Sequence, residues 1–173
     1  PTDAHILAAN SVAPSWKSSI PLPFNPRDFK TPNYGLTTFG DLFTPRQLVT
    51  LNTLCDLVSG ILPVIEKDAI EAGFANDGVP LDKGGAGAQA YAEAVGVYLA
   101  FAIDRLTDYG SSIATWKSSG EQVMQTYKRQ AIPMTWDFPE SNLLGEKAIC
   151  WLNAVEYASE DLISTYPVGV KAI

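Results

Sequence analysis

The chain is short of the residues that do most enzymatic chemistry. It has one histidine, His5, and two cysteines, Cys55 and Cys150, in 173 residues. A lone histidine offers neither a catalytic triad nor a second metal ligand. The cysteines are far apart and form no CxxC pair, so their spacing excludes a zinc ribbon within the chain. Both sit in apolar runs, Leu54-Cys55-Asp56-Leu57 and Ile149-Cys150-Trp151-Leu152, which predicts buried, reduced thiols of a cytoplasmic protein. A disulfide between them stays open at this point. No G-x-S-x-G, H-E-x-x-H, Walker or G-x-G-x-x-G pattern is present. The longest apolar run, Tyr91 to Ile103, contains Glu93 and falls short of the roughly 20 residues a membrane span needs. It reads as a core helix, with no membrane contact.

Charge is also sparse, at 18% of residues, and unbalanced: 19 acidic against 12 basic side chains give a net charge of -7. Such a chain repels phosphate at long range, which argues against a stand-alone nucleic-acid binder. What is present is an ordinary apolar fraction of 46%, enough for a folded core at this length.

The first 33 residues carry Pro14, Pro21, Pro23, Pro26 and Pro32 with scattered apolar residues. They read as an extended arm lying on another surface, one that a fragment lacks or a second copy supplies. Residues 34–173 read as the helical domain. Thr44-Pro45-Arg46-Gln47 has the form of a capping box with proline at the first helical position, and Phe43 and Leu48 are placed as a staple. Leu48, Leu51, Leu54 and Val58 continue at helical spacing. Pro63 predicts a kink or restart, and Gly73 a C-terminal cap. Residues 73–87 hold five of the thirteen glycines and read as a mobile connection; no strand precedes them, as a phosphate loop would require. A second helix is predicted from Ala88 to Thr107, apolar all round and so central. A short strand follows at Ser111–Trp116, then a helix over Ser119–Gln130. Residues 134–138 read as extended, the last helix as Gly145–Ser164, and 168–173 as a strand cut short. The fold class is therefore mainly α: a bundle of four to five helices with at most one or two short strands.

Carboxylates such as Glu66, Asp68 and Glu71 read as solvated helix faces. Two stretches concentrate aromatics and charge: YGLTTFGDLFTPRQL from Tyr34 and RQAIPMTWDFPE from Arg129. Extended aromatic segments of this kind can stack bases. The competing reading makes Trp136 and Phe138 core anchors and Asp137 a turn cap.

These stretches, with AYAEAVGVYLAFAIDRL and SSIATWKSSGE, resemble the middle of the large prokaryotic adenine-specific DNA methylases, a family described as containing a zinc ribbon. The resemblance covers about residues 34–155. It implies an S-adenosylmethionine-dependent parent with an α/β catalytic fold, into which this helical region is inserted. It also implies a glycine-rich cofactor loop and an Asp-Pro-Pro-Tyr motif acting on a flipped adenine. Neither motif occurs in this chain. The expectation is an internal segment, inactive alone, with no catalytic residue, metal ligand or cofactor of its own. Its partners are then the rest of the methylase and, through it, DNA. In a nucleic-acid recognition module, Arg46, Lys117, Lys128 and Arg129 would contact phosphate, Trp116 or Trp136 would stack, and Asp137 and Phe138 would touch a ligand or base. In a self-association module, the arm and central helix would pack on a second copy.

Overall fold

The computed structural model describes residues 1–146 and 149–165, and the side chains of all of these up to residue 160. The mainly α class is what is observed: four helices and one two-stranded sheet among the described residues. The helices are α1 (Asp3–Asn10), α2 (Pro45–Glu71), α3 (Ala88–Tyr109) and α4 (Trp151–Thr165). The strands are β1 (Thr115–Lys117) and β2 (Gln122–Met124), antiparallel with Trp116 opposite Val123. The strand anticipated at 168–173 lies outside the described residues.

The chain forms two compact units. The first joins Pro1–Thr53 with Arg105–Cys150; the second joins Leu54–Asp104 with α4. This division does not fall at residue 33, and the reason is visible in the arm. Leu22 is buried with Leu42, Ile113 and Ile132, and Phe29, Leu36, Phe39 and Phe43 pack around them. Backbone bonds fix the docking: Leu22 N–H to Thr37 O at 2.8 Å and Phe39 N–H to Ile20 O at 3.0 Å. The surface under the arm is thus supplied by residues 37–42, Ile113 and Ile132 of the same chain, which corrects the expectation of a missing or second-copy surface.

Close approach at Gly40 makes this docking specific. A Cβ there would lie 2.5 Å from Ser18 O and 2.6 Å from Lys17 Cγ. Beside it, the Asp41 carboxylate accepts from the Thr37 and Thr38 N–H groups at 2.9 and 2.8 Å and pairs with Lys17 Nζ at 2.5 Å. Asn52 adds a bond from its side-chain amide to Trp16 O at 2.9 Å. The arm is not extended throughout, either. Its proline-free start, Asp3–Asn10, is helical because Ala4, Leu7, Ala8 and Ala9 favour helix and the breakers begin only at Pro14. His5, the lone histidine, accepts weakly from the Thr2 N–H at 3.4 Å, a local capping contact.

The start of α2 follows its sequence signature. Thr44 N–H donates to Gln47 Oε1 at 2.7 Å and Gln47 N–H donates to Thr44 Oγ1 at 3.3 Å, both halves of a capping box. The helix runs unbroken past Pro63. It ends in a Schellman motif: Phe74 N–H reaches Ala69 O and Gly73 N–H reaches Ile70 O, both at 3.0 Å, with Gly73 at φ +97°.

The glycine-rich stretch 73–87 is bonded rather than loose. Ala88 N–H donates to Ala75 O at 2.8 Å, and Leu81 N–H donates to the Glu93 carboxylate at 2.6 Å. A Cβ on Gly85 would overlap Val79 O, and one on Gly87 would sit 2.5 Å from Ala75 O. In the second unit α2 and α3 approach closely where Gly96 meets Leu62, whose Cδ2 would be 2.8 Å from an added Cβ.

Four other expectations are corrected. The helix placed at Ser119–Gln130 is instead a turn and β2: Gly120 N–H closes on Lys117 O, and Glu121 takes φ +47°, which no helix accommodates. The last helix begins at Trp151, not Gly145, because Asn142 holds a turn through bonds to Leu144 N–H and Gly145 N–H. α3 is not central on every side, since Tyr91, Val97 and Phe101 are 44–54% exposed. Cys150 is buried but Cys55 is exposed, and both are free thiols.

α2 also carries an apolar stripe open to solvent, Leu57, Ile61 and Val64 at helical spacing. By length and composition this 27-residue helix can cross a membrane.

Replacing Asp41 with Asn should lower stability by about 1–2 kcal/mol, the worth of charge-assisted bonds at a partly open site. Lys17 and the threonine donors hold the Asp41 carboxyl well below the usual carboxylate range, against a smaller opposing effect of burial. A depressed folded pKa contributes stability above the unfolded value near 4, lost as pH falls further toward the folded pKa. Urea titrations from pH 6 to 3 should show that loss in the parent and a flatter profile in Asp41→Asn.

Candidate nucleic-acid interface

The residues singled out in sequence all fall in the first unit, but they do not form one patch. Lys128 and Arg129 come together along a groove of about 140 Å³ shared with Thr115, Gln125 and Thr126. Lys128 Nζ donates to Thr115 Oγ1 at 3.2 Å. Lys117 is exposed at the end of β1.

The segment holding the two cations has no regular structure of its own, so its position depends on side-chain anchors. Asp108, in the last turn of α3, accepts from Thr126 N–H through its backbone carbonyl at 2.7 Å. It accepts from Tyr127 N–H through its carboxylate at 2.8 Å. Beneath these, the Ser111 and Thr126 hydroxyls bond at 2.6 Å in a fully buried position.

Arg46 is engaged elsewhere. Its Nη2 meets Glu140 Oε2 at 2.8 Å and its Nε meets Oε1 at 3.3 Å, a two-pronged pair. The bond to Glu140 and its charge raise the Arg46 pKa further. As a phosphate contact Arg46 would have to share its charge with this carboxylate.

Trp136 is 74% exposed and packs edge-on against Tyr34, ring centroids 4.9 Å apart at 78°. That exposure overturns the core-anchor reading for Trp136. Phe138 is half-buried and Asp137 exposed. Trp116, 53% exposed, lines a second groove of about 400 Å³ with Gln122, Ser141 and Asn142.

Tyr34, Ser141, Asn142 and Gln47 were not anticipated as site residues. Tyr34 was legible only as part of a motif. Gln47 was read solely as a cap, and Ser141-Asn142 carries no pattern that sequence reasoning could score. Among the described residues no cluster of three metal-ligating side chains occurs. Comparison with protein-family models, curated proteins and solved structures finds no match.

Burial pushes the Tyr127 phenol up to about 12, and the Asp108 carboxylate adds in the same direction, although 39% of the residue's surface stays open. The fold therefore favours the neutral phenol. Absorbance titration near 295 nm should show one tyrosine ionising well after the others. Stability should fall as pH rises above about 10, the unfolded value. Tyr127→Phe should remove the late step.

Proposed function

We propose that this chain is a helical internal part of an S-adenosylmethionine-dependent, adenine-specific DNA methyltransferase and transfers no methyl group by itself. One observation carries the reading. Three of the four stretches that resemble that family, though far apart in sequence, converge on one core: Leu42, Ile113 and Ile132 each come from a different one. Hydrogen bonds join them directly. Ser112 donates to Leu42 O through both its N–H and its hydroxyl at 2.8 Å, and Thr135 Oγ1 donates to Ile113 O at 3.1 Å. The packing of these three stretches in one unit is what a common domain requires of them.

DNA as a partner, through the parent enzyme, and a cytoplasmic setting belong to the same proposal. The Lys128–Arg129 groove and, at separate places, the exposed Trp136 and Trp116 support contact with nucleic acid. The open apolar positions Leu57, Ile61, Val64 and Phe101 support a second role in self-association or in packing on the rest of the enzyme.

The gene should continue in frame, with a glycine-rich cofactor motif upstream and Asp-Pro-Pro-Tyr downstream. The chain alone should transfer no label from S-adenosylmethionine to DNA, while the longer product should. An encoded protein lacking both motifs, or methyl transfer by the 173-residue chain, would overturn the proposal.

A further inference from the structure

The first turn of α2 opens on a small cavity of about 110 Å³, lined by Arg46, Gln47, Thr50, Glu140, Ser141 and Asn142 among others. Two polar atoms buried there have no hydrogen-bond partner among the described residues: Gln47 Nε2 and Ser141 Oγ. Gln47 is only 6% exposed. Its amide orientation is set by the cap, because Oε1 must face the Thr44 N–H it accepts from. The atom left over is therefore a donor. A buried donor without a partner costs about 1–3 kcal/mol, so such groups normally have one.

The surroundings call for the same kind of partner. Of the first-turn donors of α2, Pro45 has none, Gln47 N–H meets Thr44 Oγ1 and Leu48 N–H meets Thr44 O, which leaves the Arg46 N–H. The helix start is electropositive. Glu140 also lines the cavity, but its charge is matched in the two-pronged pair with Arg46. The free groups are thus two donors, a carboxamide N–H₂ and a backbone N–H, with a hydroxyl that can donate beside them.

We infer that this cavity binds an oxyanion, a phosphate group held by Gln47 Nε2, Ser141 Oγ and the N-terminus of α2. The inference stands on the cavity and does not need the methylase reading. Two sources share the chemistry, free phosphate and the phosphodiester of a nucleic acid.

The test uses the full chain, labelled with ¹⁵N, and inorganic phosphate as the probe. The Gln47 side-chain and Arg46 backbone resonances should shift saturably. Gln47→Glu keeps the Thr44 cap, since a carboxylate oxygen accepts that N–H equally well. It replaces the donor with a repelling acceptor and should weaken phosphate binding about tenfold or more, with unchanged circular dichroism. Ser141→Ala, outside the cap, should weaken it less and serves if Gln47→Glu misfolds. Resonances that stay still in phosphate, or folded variants that bind it as well as the parent, would overturn the inference. A short DNA duplex, added in place of phosphate, separates the sources. The same resonances moving assigns a nucleic-acid phosphate; phosphate binding without duplex binding assigns free phosphate and counts against the DNA-facing part of the proposed function.

Discussion

The first unit depends on what surrounds one carboxylate. Asp41 gathers the Lys17 ammonium and two successive threonine N–H groups onto a single side chain. It thereby closes the 3₁₀ turn Phe39–Leu42 and pins the arm that crosses it. The turn must close for Leu42 to reach the core, where it is fully buried. Gly40 is the steric half of the same arrangement, since only a hydrogen leaves room for the backbone at Ser18. Charge, backbone geometry and core packing meet within three residues, so a change at any of them is felt by the other two.

The sequence was readable where a local rule decides the outcome. A capping box needs only Thr44 and Gln47, and a Schellman end needs only Gly73, so α2 was bounded at both ends without knowledge of its neighbours. Reading failed where distant residues decide. Val123, Met124 and Tyr127 carry a spacing that suits a helix. The stretch instead follows the turn at Gly120 and the pull of Asp108 and Ser111 on residues 126–127. α1 is hidden because the prolines from Pro14 onward dominate the composition of the arm, although none lies within Asp3–Asn10. Among the site residues, Lys128 and Arg129 were adjacent in sequence and stayed so in space. The edge-on packing of Trp136 on Tyr34, and the partnership of Arg46 with Glu140, join positions about a hundred residues apart and leave no periodic trace.

Aromatic and aliphatic side chains open to solvent are numerous in both units. In the first, Trp16, Phe24, Trp116 and Trp136 are more than half exposed; in the second, Leu57, Phe101 and Leu152 are. Isolated exposed apolar residues are ordinary, but large ones in this number mark surfaces with work to do.

The stretch between α2 and α3 has the composition of a tether and the bonding of a folded element. Its glycines are fixed in two ways: Gly85 by the nearness of Val79 O and Gly87 by Ala75 O and Asp77, and Gly73, Gly78 and Gly84 by left-handed backbones. In related chains these positions should therefore drift more slowly than their setting suggests. The tolerance expected of a spacer should be confined to the non-glycine positions between them, since a side chain at Gly78 or Gly84 would have room but would strain the backbone.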